Sequence, residues 1–227
     1  MLEQLKQEVF EANLLLAKYN LVIFTWGNVS AKQDNYIVIK PSGVKYENMS
    51  SKDMVVLDLD GNIIEGDYRP SSDTPTHLEL YKAFSDIKGI CHTHSTYATS
   101  FAQAGKGIDC FGTTHADYFY GTIPCTRNLT QEEVEQNYEK NTGKVIIETF
   151  NNKDYKAIPG VLVNSHGVFS WGENAIESVH NARVMEELAQ MNMNTLFLNS
   201  DKNIIQQYIL DKHYNRKHGK NAYYGQR

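Results

Sequence analysis

Ile87-Lys88-Gly89-Ile90-Cys91-His92-Thr93-His94 is the stretch from which the rest of the chain is read. Lys88–Thr93 has the length and apolar content of a strand. Strand side chains alternate between faces, so His92 and His94 project the same way and Cys91 the other. Cys91 is therefore expected to be a buried structural cysteine. A third histidine ends a second apolar run, Gly160-Val161-Leu162-Val163-Asn164-Ser165-His166, and precedes Gly167. Three imidazoles with a nearby carboxylate, Asp73, form the donor set of a catalytic zinc, or of Mn²⁺ or Co²⁺, with room for a substrate oxygen. A Lewis acid of that kind polarises a carbonyl, which points to chemistry beside a ketone or aldehyde. A lone His-x-His is also what two polar residues at a strand end look like. The third histidine and the position at a sheet edge favour ligands. His77, four residues after Asp73 on a predicted helix, is a rival ligand that more simply faces core or solvent. His115, His180 and His218 lack such a context and are read as structural.

Outward from this stretch, Leu2, Leu5, Val9, Ala12 and Leu16 recur at helical spacing, predicting a helix over 2–19. Val22–Ser30 and Tyr36–Lys40 read as strands joined by the polar turn 32–35. Met54–Leu59 and Ile63-Ile64 flank Asp60-Gly61-Asn62, a second hairpin. Thr74–Phe84 reads as a helix, with Ser72 or Asp73 as N-cap and Pro75 in its first turn. Ser95–Ala104 is a helix directly after the histidine pair. Thr130–Thr149 is a polar helix with a candidate break at Gly143. Strands flank His166-Gly167. Helices follow at Glu173–Met193 and Asp201–His213, then a polar, aromatic tail. Hairpins interleaved with helices, without strict βαβ alternation, predict a mixed, largely antiparallel sheet covered by helices. Gly143-Lys144 lacks the upstream glycine of a P-loop and no Rossmann fingerprint occurs, which disfavours a nucleotide enzyme.

The chain has 227 residues, no internal repeat and no linker, so one domain over 1–227 is expected. A hydrophobic fraction of 41% suffices for a sizeable core, and a net charge of −5 argues against nucleic acid as a partner. Three cysteines at no disulfide or metal spacing suit a reducing compartment. The charged N-terminus is not a signal peptide, and no run reaches transmembrane length; a cytoplasmic protein without a membrane partner is expected.

Small-residue turns follow the strands at Gly27-Asn28, Ser42-Gly43 and Ser71-Ser72, with Lys40 nearby. Backbone N–H groups approach an anion closely where side chains are small, and hydroxyls add donors. Each turn alone is an ordinary use of Ser and Gly; their value comes from company with the metal ligands.

Thr25-Trp26-Gly27-Asn28-Val29-Ser30, Lys40-Pro41-Ser42-Gly43-Val44, Pro70-Ser71-Ser72-Asp73-Thr74-Pro75-Thr76-His77 and His92-Thr93-His94 occur in this order. They are followed by Gly112-Thr113-Thr114-His115-Ala116-Asp117-Tyr118-Phe119-Tyr120-Gly121, and by Lys212-His213-Tyr214, Arg216-Lys217-His218 and Tyr223-Tyr224-Gly225-Gln226. Over essentially its whole length the chain resembles the L-ribulose-5-phosphate 4-epimerase family of the class II aldolase/epimerase superfamily. The resemblance implies a three-layer α/β/α domain around a central, mostly antiparallel sheet, assembled as a cyclic homotetramer. It implies zinc on His92, His94 and His166 with Asp73 as a further ligand. Phosphate falls on Gly27, Asn28, Ser42, Gly43, Ser71 and Ser72, and Lys40 and Thr113 join the substrate-binding residues. Asp117 and Tyr224 match an acid/base pair that reaches the metal of a neighbouring subunit. His213 and Arg216 approach the substrate across the same boundary. The implied reaction interconverts L-ribulose 5-phosphate and D-xylulose 5-phosphate by breaking and remaking C3–C4, as in L-arabinose-type catabolism. Sister aldolases, such as L-fuculose-1-phosphate aldolase, typically carry Glu where this chain has Asp73, which favours the epimerase. A metal-dependent scaffold that has lost its chemistry is the non-enzymatic alternative.

Overall fold

The structure is a computed structural model that describes residues 2–224. Helix α1 (Glu3–Lys18) precedes strands β1 (Asn28–Gln33), β2 (Tyr36–Ile39), β3 (Val55–Asp58) and β4 (Ile63–Glu65). Helix α2 (Thr74–Ala83), strand β5 (Gly89–Thr93), helix α3 (Thr96–Gln103) and the short α4 (Thr113–Ala116) come next. Then follow α5 (Gln131–Thr149), β6 (Gly160–Leu162), β7 (Val168–Gly172), α6 (Ala175–Leu198) and α7 (Gln207–His218). The strands form one seven-stranded sheet in the order β4-β3-β2-β1-β5-β7-β6. Each neighbouring pair is antiparallel.

Both faces of the sheet are buried, and the period of two sorts its side chains. Ile37, Ile39, Val55, Leu57, Ile90, Phe169 and Trp171 pack under α2 and α5. Val29, Ala31, Val38, Val56 and Cys91 pack under α1 and the first half of α6. These are the expected helix–sheet–helix layers, and Cys91 is buried on the face opposite His92. No helix among the described residues is long and apolar enough to cross a membrane.

Three expectations are corrected, and a fourth, Asp73 as N-cap, holds by position. The strand expected over Val22–Ser30 begins only at Asn28, because Phe24 (φ 56°) and Gly27 (φ 72°) are left-handed and cannot continue an extended chain. Helix α5 breaks at Asn137 (φ −155°, ψ 71°), not at Gly143. Gly143 instead lets α5 lie against α2, since a Cβ there would stand 2.7 Å from Glu79 Cβ. The last helix begins at Gln207 and runs to His218, because the residues before it form an extended tether in which Ile205 N donates to Cys110 O at 2.7 Å. Asp73 occupies the N-cap position of α2, yet its side chain makes no capping hydrogen bond.

Candidate metal centre

Strand register places the centre. Asn28 of β1 lies opposite His92 of β5, and His92 lies opposite Phe169 of β7, so one row crosses three strands at one end of the sheet. The His92 ring stacks on Phe169, with centroids 4.2 Å apart and planes 17° apart. His92 Nδ1 donates to Val168 O at 2.9 Å, which leaves Nε2 as the lone-pair nitrogen. His94, just past the end of β5, brings its Nε2 within 3.1 Å of that atom. His166 arrives on the turn between β6 and β7, where Ser165 is left-handed (φ 61°). Gly167 lets the turn press on β5, since a Cβ there would stand 2.7 Å from Thr93 O. The His166 ring then lies 4.9 Å from both His92 and His94.

The donor atoms of the three histidines lie within 4.8 Å of one another. Ligands at ~2.0–2.1 Å from one tetrahedral ion stand roughly 3.4 Å apart, so the trio as a whole is set near that spacing but slightly wider. Burial, then the neighbouring imidazoles, push His166 down to about 3, and burial with His92 pushes His94 down to about 4. Both are neutral at pH 7, the form that ligates a metal. His166 Nδ1 is buried without a hydrogen-bond partner. Converging ring nitrogens, the neutral His94 and His166 and an orphaned His166 Nδ1 fit a divalent ion held by His92, His94 and His166.

Asp73 stands beside this trio, its Oδ2 at 4.0 Å from His92 Nε2. Asn28 Nδ2 donates to the same oxygen at 2.7 Å. Burial acts to raise the Asp73 carboxyl, but His92, His77 and the Asn28 amide outweigh it and hold it below its ordinary value. The rival, His77, faces the core: its Nδ1 pairs with Ser30 Oγ at 2.7 Å, and Ser30 in turn meets Tyr81 OH at 2.8 Å. His115 Nε2 donates to Gly121 O at 2.8 Å and His218 Nε2 to Asp117 O at 2.9 Å, both structural bonds.

The three small-residue turns share one cleft of about 590 Å³ with the trio. Gly27, Asn28, Lys40, Ser42, Gly43, Ser71, Ser72 and Asp73 all line it. Ser42 N donates to Arg69 O and Ser71 N to Lys40 O, which ties two of the turns side by side at the end of β2. Lys40 is 2% exposed, yet among the described residues its Nζ bonds only Pro41 O, and it lies 5.1 Å over the Tyr46 ring. Burial lowers its ammonium to about 8, so it remains mostly charged at pH 7, with no carboxylate partner among the described residues. A buried cation without a counter-ion is a place for an anion.

Asp117, Thr113, His213, Arg216 and Tyr224 do not line this cleft. Asp117 caps the end of α4, where Arg216 donates to it through Nε at 2.9 Å and Nη2 at 2.5 Å. His213 Nδ1 donates to the same carboxylate at 3.1 Å. Burial would raise the Asp117 carboxyl, but Arg216 and His213 hold it below its ordinary value. The Tyr224 ring lies 4.6 Å over the Arg216 guanidinium. Four of the expected residues thus form a second cluster on α4, α7 and the start of the tail, and Thr113 sits in the first turn of α4.

Sequence reading gave no role to Thr25, Trp26 and Pro41 of the cleft, and missed altogether its Tyr138 and Glu139. No periodicity marks them, because they follow the break in α5. It also missed Glu186 of α6, whose carboxylate accepts Tyr97 N and Ala98 N, each at 2.9 Å. That bond caps α3 directly behind His94, in place of the Ser95 side chain.

Several known structures share this architecture. An L-fuculose 1-phosphate aldolase superposes with a TM-score of 0.79 at 23% identity, over 94% of this chain and 95% of its own. The L-fuculose 1-phosphate aldolase from Glaciozyma antarctica PI12 gives 0.78 at 17% identity, over 97% of this chain and 84% of its own. An aldolase II superfamily protein from Pseudomonas syringae gives 0.76 at 13% identity, over 94% and 84%. At these identities the likeness is one of fold. Residues 7–193 match the class II aldolase and adducin N-terminal domain family, and the chain belongs to that family.

Proposed function

We propose that this chain is a metal-dependent enzyme that breaks and remakes a C–C bond of a sugar phosphate, and that its reaction is the epimerisation of L-ribulose 5-phosphate to D-xylulose 5-phosphate. The observation that carries this reading is one cleft holding both the converging histidine trio and, among small-residue turns, a buried Lys40 that meets no carboxylate among the described residues. The inverted centre, C4, is not adjacent to the C2 carbonyl, so enolisation alone cannot epimerise it. Cleavage of C3–C4, turning of the aldehyde half and re-addition can. His92, His94 and His166, with Asp73 beside them, would hold a divalent ion, which would supply Lewis-acid polarisation of the ketone.

The chain's own groups do the rest. Lys40 and the turns at 27–28, 42–43 and 71–72 hold the phosphate, so the aldehyde half turns over without escaping. One group removes the C4 hydroxyl proton, and another returns a proton on the opposite face. Asp117 and Tyr224 are assigned these roles. Arg216 keeps Asp117 ionised and therefore able to accept a proton. The two residues lie together away from the cleft of their own chain, which suits their delivery to the cleft of a neighbouring copy in a cyclic homotetramer. His213 and Arg216 would approach the same substrate.

A second reading is an aldolase releasing dihydroxyacetone phosphate and an aldehyde, as the names of two structural neighbours suggest. Asp73, shorter by one methylene than the Glu usual in such aldolases, favours the epimerase. Purified protein supplied with zinc should convert L-ribulose 5-phosphate to D-xylulose 5-phosphate. Release of aldehyde from L-fuculose 1-phosphate, without that epimerisation, would reverse the assignment.

A further inference from the structure

The break in α5 is built with some care. Thr130 and Glu133 form a reciprocal capping box at its start. Arg127 bridges Glu133 on the near side of the break to Glu148 on the far side, at 2.9 Å each. Asn141 Nδ2 donates at 2.8 Å to Glu133 O, across the break. Thr76 Oγ1 donates at 2.6 Å to Glu139 O and pins the far half to α2. A break so fully compensated has a use, and the residue just after it, Tyr138, lines the cleft. Its ring lies 5.8 Å from His166. Its hydroxyl has no hydrogen-bond partner among the described residues.

Sheet order gives the cleft a direction. The turns that carry Lys40, Ser42 and Ser71 stand at the end of β2. The histidine pair follows on β5, and His166 lies beyond it on the β6–β7 turn. From β2 through β1 and β5 to β7 is three strand spacings, about 14 Å. Tyr138, against His166, thus lies on the β7 side of the cleft, and Lys40 at the end of β2 lies on the other.

We infer that Tyr138 is a specificity-determining residue whose hydroxyl hydrogen-bonds the terminal hydroxymethyl group of the ketose, the end remote from the phosphate. The inference rests on the function proposed above and adds to it a selection for substrates that are hydroxylated at C1. Burial, with Asp73 and Glu139 nearby, raises the Tyr138 phenol, so it stays protonated and can both donate and accept.

The test uses the reverse reaction with two probes, D-xylulose 5-phosphate and 1-deoxy-D-xylulose 5-phosphate. The second lacks only the C1 hydroxyl and keeps the C2 ketone and the C3 and C4 hydroxyls. Wild-type protein and Tyr138→Phe, each loaded with zinc, are compared by kcat/KM and by calorimetric binding. Wild type should favour the hydroxylated ketose by roughly tenfold or more, and Tyr138→Phe by about twofold or less. Tyr138→Phe keeps the ring, so its zinc content and melting temperature should match wild type. An unchanged preference in an active Tyr138→Phe protein would overturn the role of Tyr138 alone. Failure of wild type to bind or turn over D-xylulose 5-phosphate would overturn the proposed function, and this inference with it.

Discussion

Replacing Gly27 by alanine tests whether the phosphate turn and the metal centre are one mechanical unit, with Gly43→Ala as the control. Both glycines are left-handed, at φ 72° and φ 69°. An alanine in that region costs about 1–2 kcal/mol at either site. The surroundings differ. A Cβ at Gly43 meets nothing within 4 Å, whereas one at Gly27 would stand 2.7 Å from Val22 Cγ1 and 2.8 Å from His92 O. The second contact is with the backbone of a central strand and is relieved only by moving that strand. Overpacking of this kind adds about 1–3 kcal/mol. Gly43→Ala should therefore lose about 1–2 kcal/mol and Gly27→Ala about 2–5. At about 2–4 °C per kcal/mol for a chain of this size, melting temperatures fall by roughly 2–8 °C and roughly 4–20 °C. Because the push falls on the His92 carbonyl, Gly27→Ala should also weaken zinc binding in a competition titration, and Gly43→Ala should not. If both variants melt together and both bind zinc as wild type does, the turn is not braced against β5 and the reasoning fails.

Three further outcomes are expected. His92→Asn should bind zinc at least roughly tenfold more weakly, with its fold intact by circular dichroism, and chelation should abolish turnover that zinc or manganese restores; full turnover by metal-free protein would refute the metal assignment. Burial pushes His77 down to about 3 and His115 down to about 4, so the unfolded chain, with imidazoles near ~6.5, takes up protons that the folded chain refuses. Stability should be full above about pH 6.5 and fall as pH drops towards about 4, by about 2 kcal/mol per buried imidazole at pH 5; a denaturant midpoint equal at pH 7.5 and pH 5 would contradict this. His92→Asn and Tyr224→Phe proteins, each nearly inactive alone, should regain activity when co-expressed, because mixed assemblies pair an intact metal site with an intact Tyr224; efficient mixing without recovery would place Tyr224 outside a shared site.

Patterns that depend on local geometry were legible in the chain. A strand alternates its side chains whatever surrounds it, so His92 and His94 were expected on one face and Cys91 on the other, and they lie so. The Asp60-Gly61-Asn62 hairpin and the apolar line of α1 were read for the same reason. Apolar and β-branched residues misled over 22–27, where Phe24 and Trp26 belong to an exposed left-handed turn. The choice between strand and turn there was made by the close approach of Gly27 to His92 O, a contact between residues far apart in sequence.

The sequence by itself determined the donor types, their facing and the small-residue turns, because each is set by residue chemistry or by the period of a strand. Tertiary structure alone decided which of these meet. Strand register set Asn28, His92 and Phe169 in one row and so fixed the orientation of the ring. Helix α5 breaks at Asn137 and packs on α2, and Tyr138 just after the break lines the cleft. Pairing of Asp117 with Arg216, 99 residues later, gathered a second cluster apart from the first. Each outcome rests on contacts across long stretches of chain, whose free energy exceeds the weak local preferences that a sequence displays.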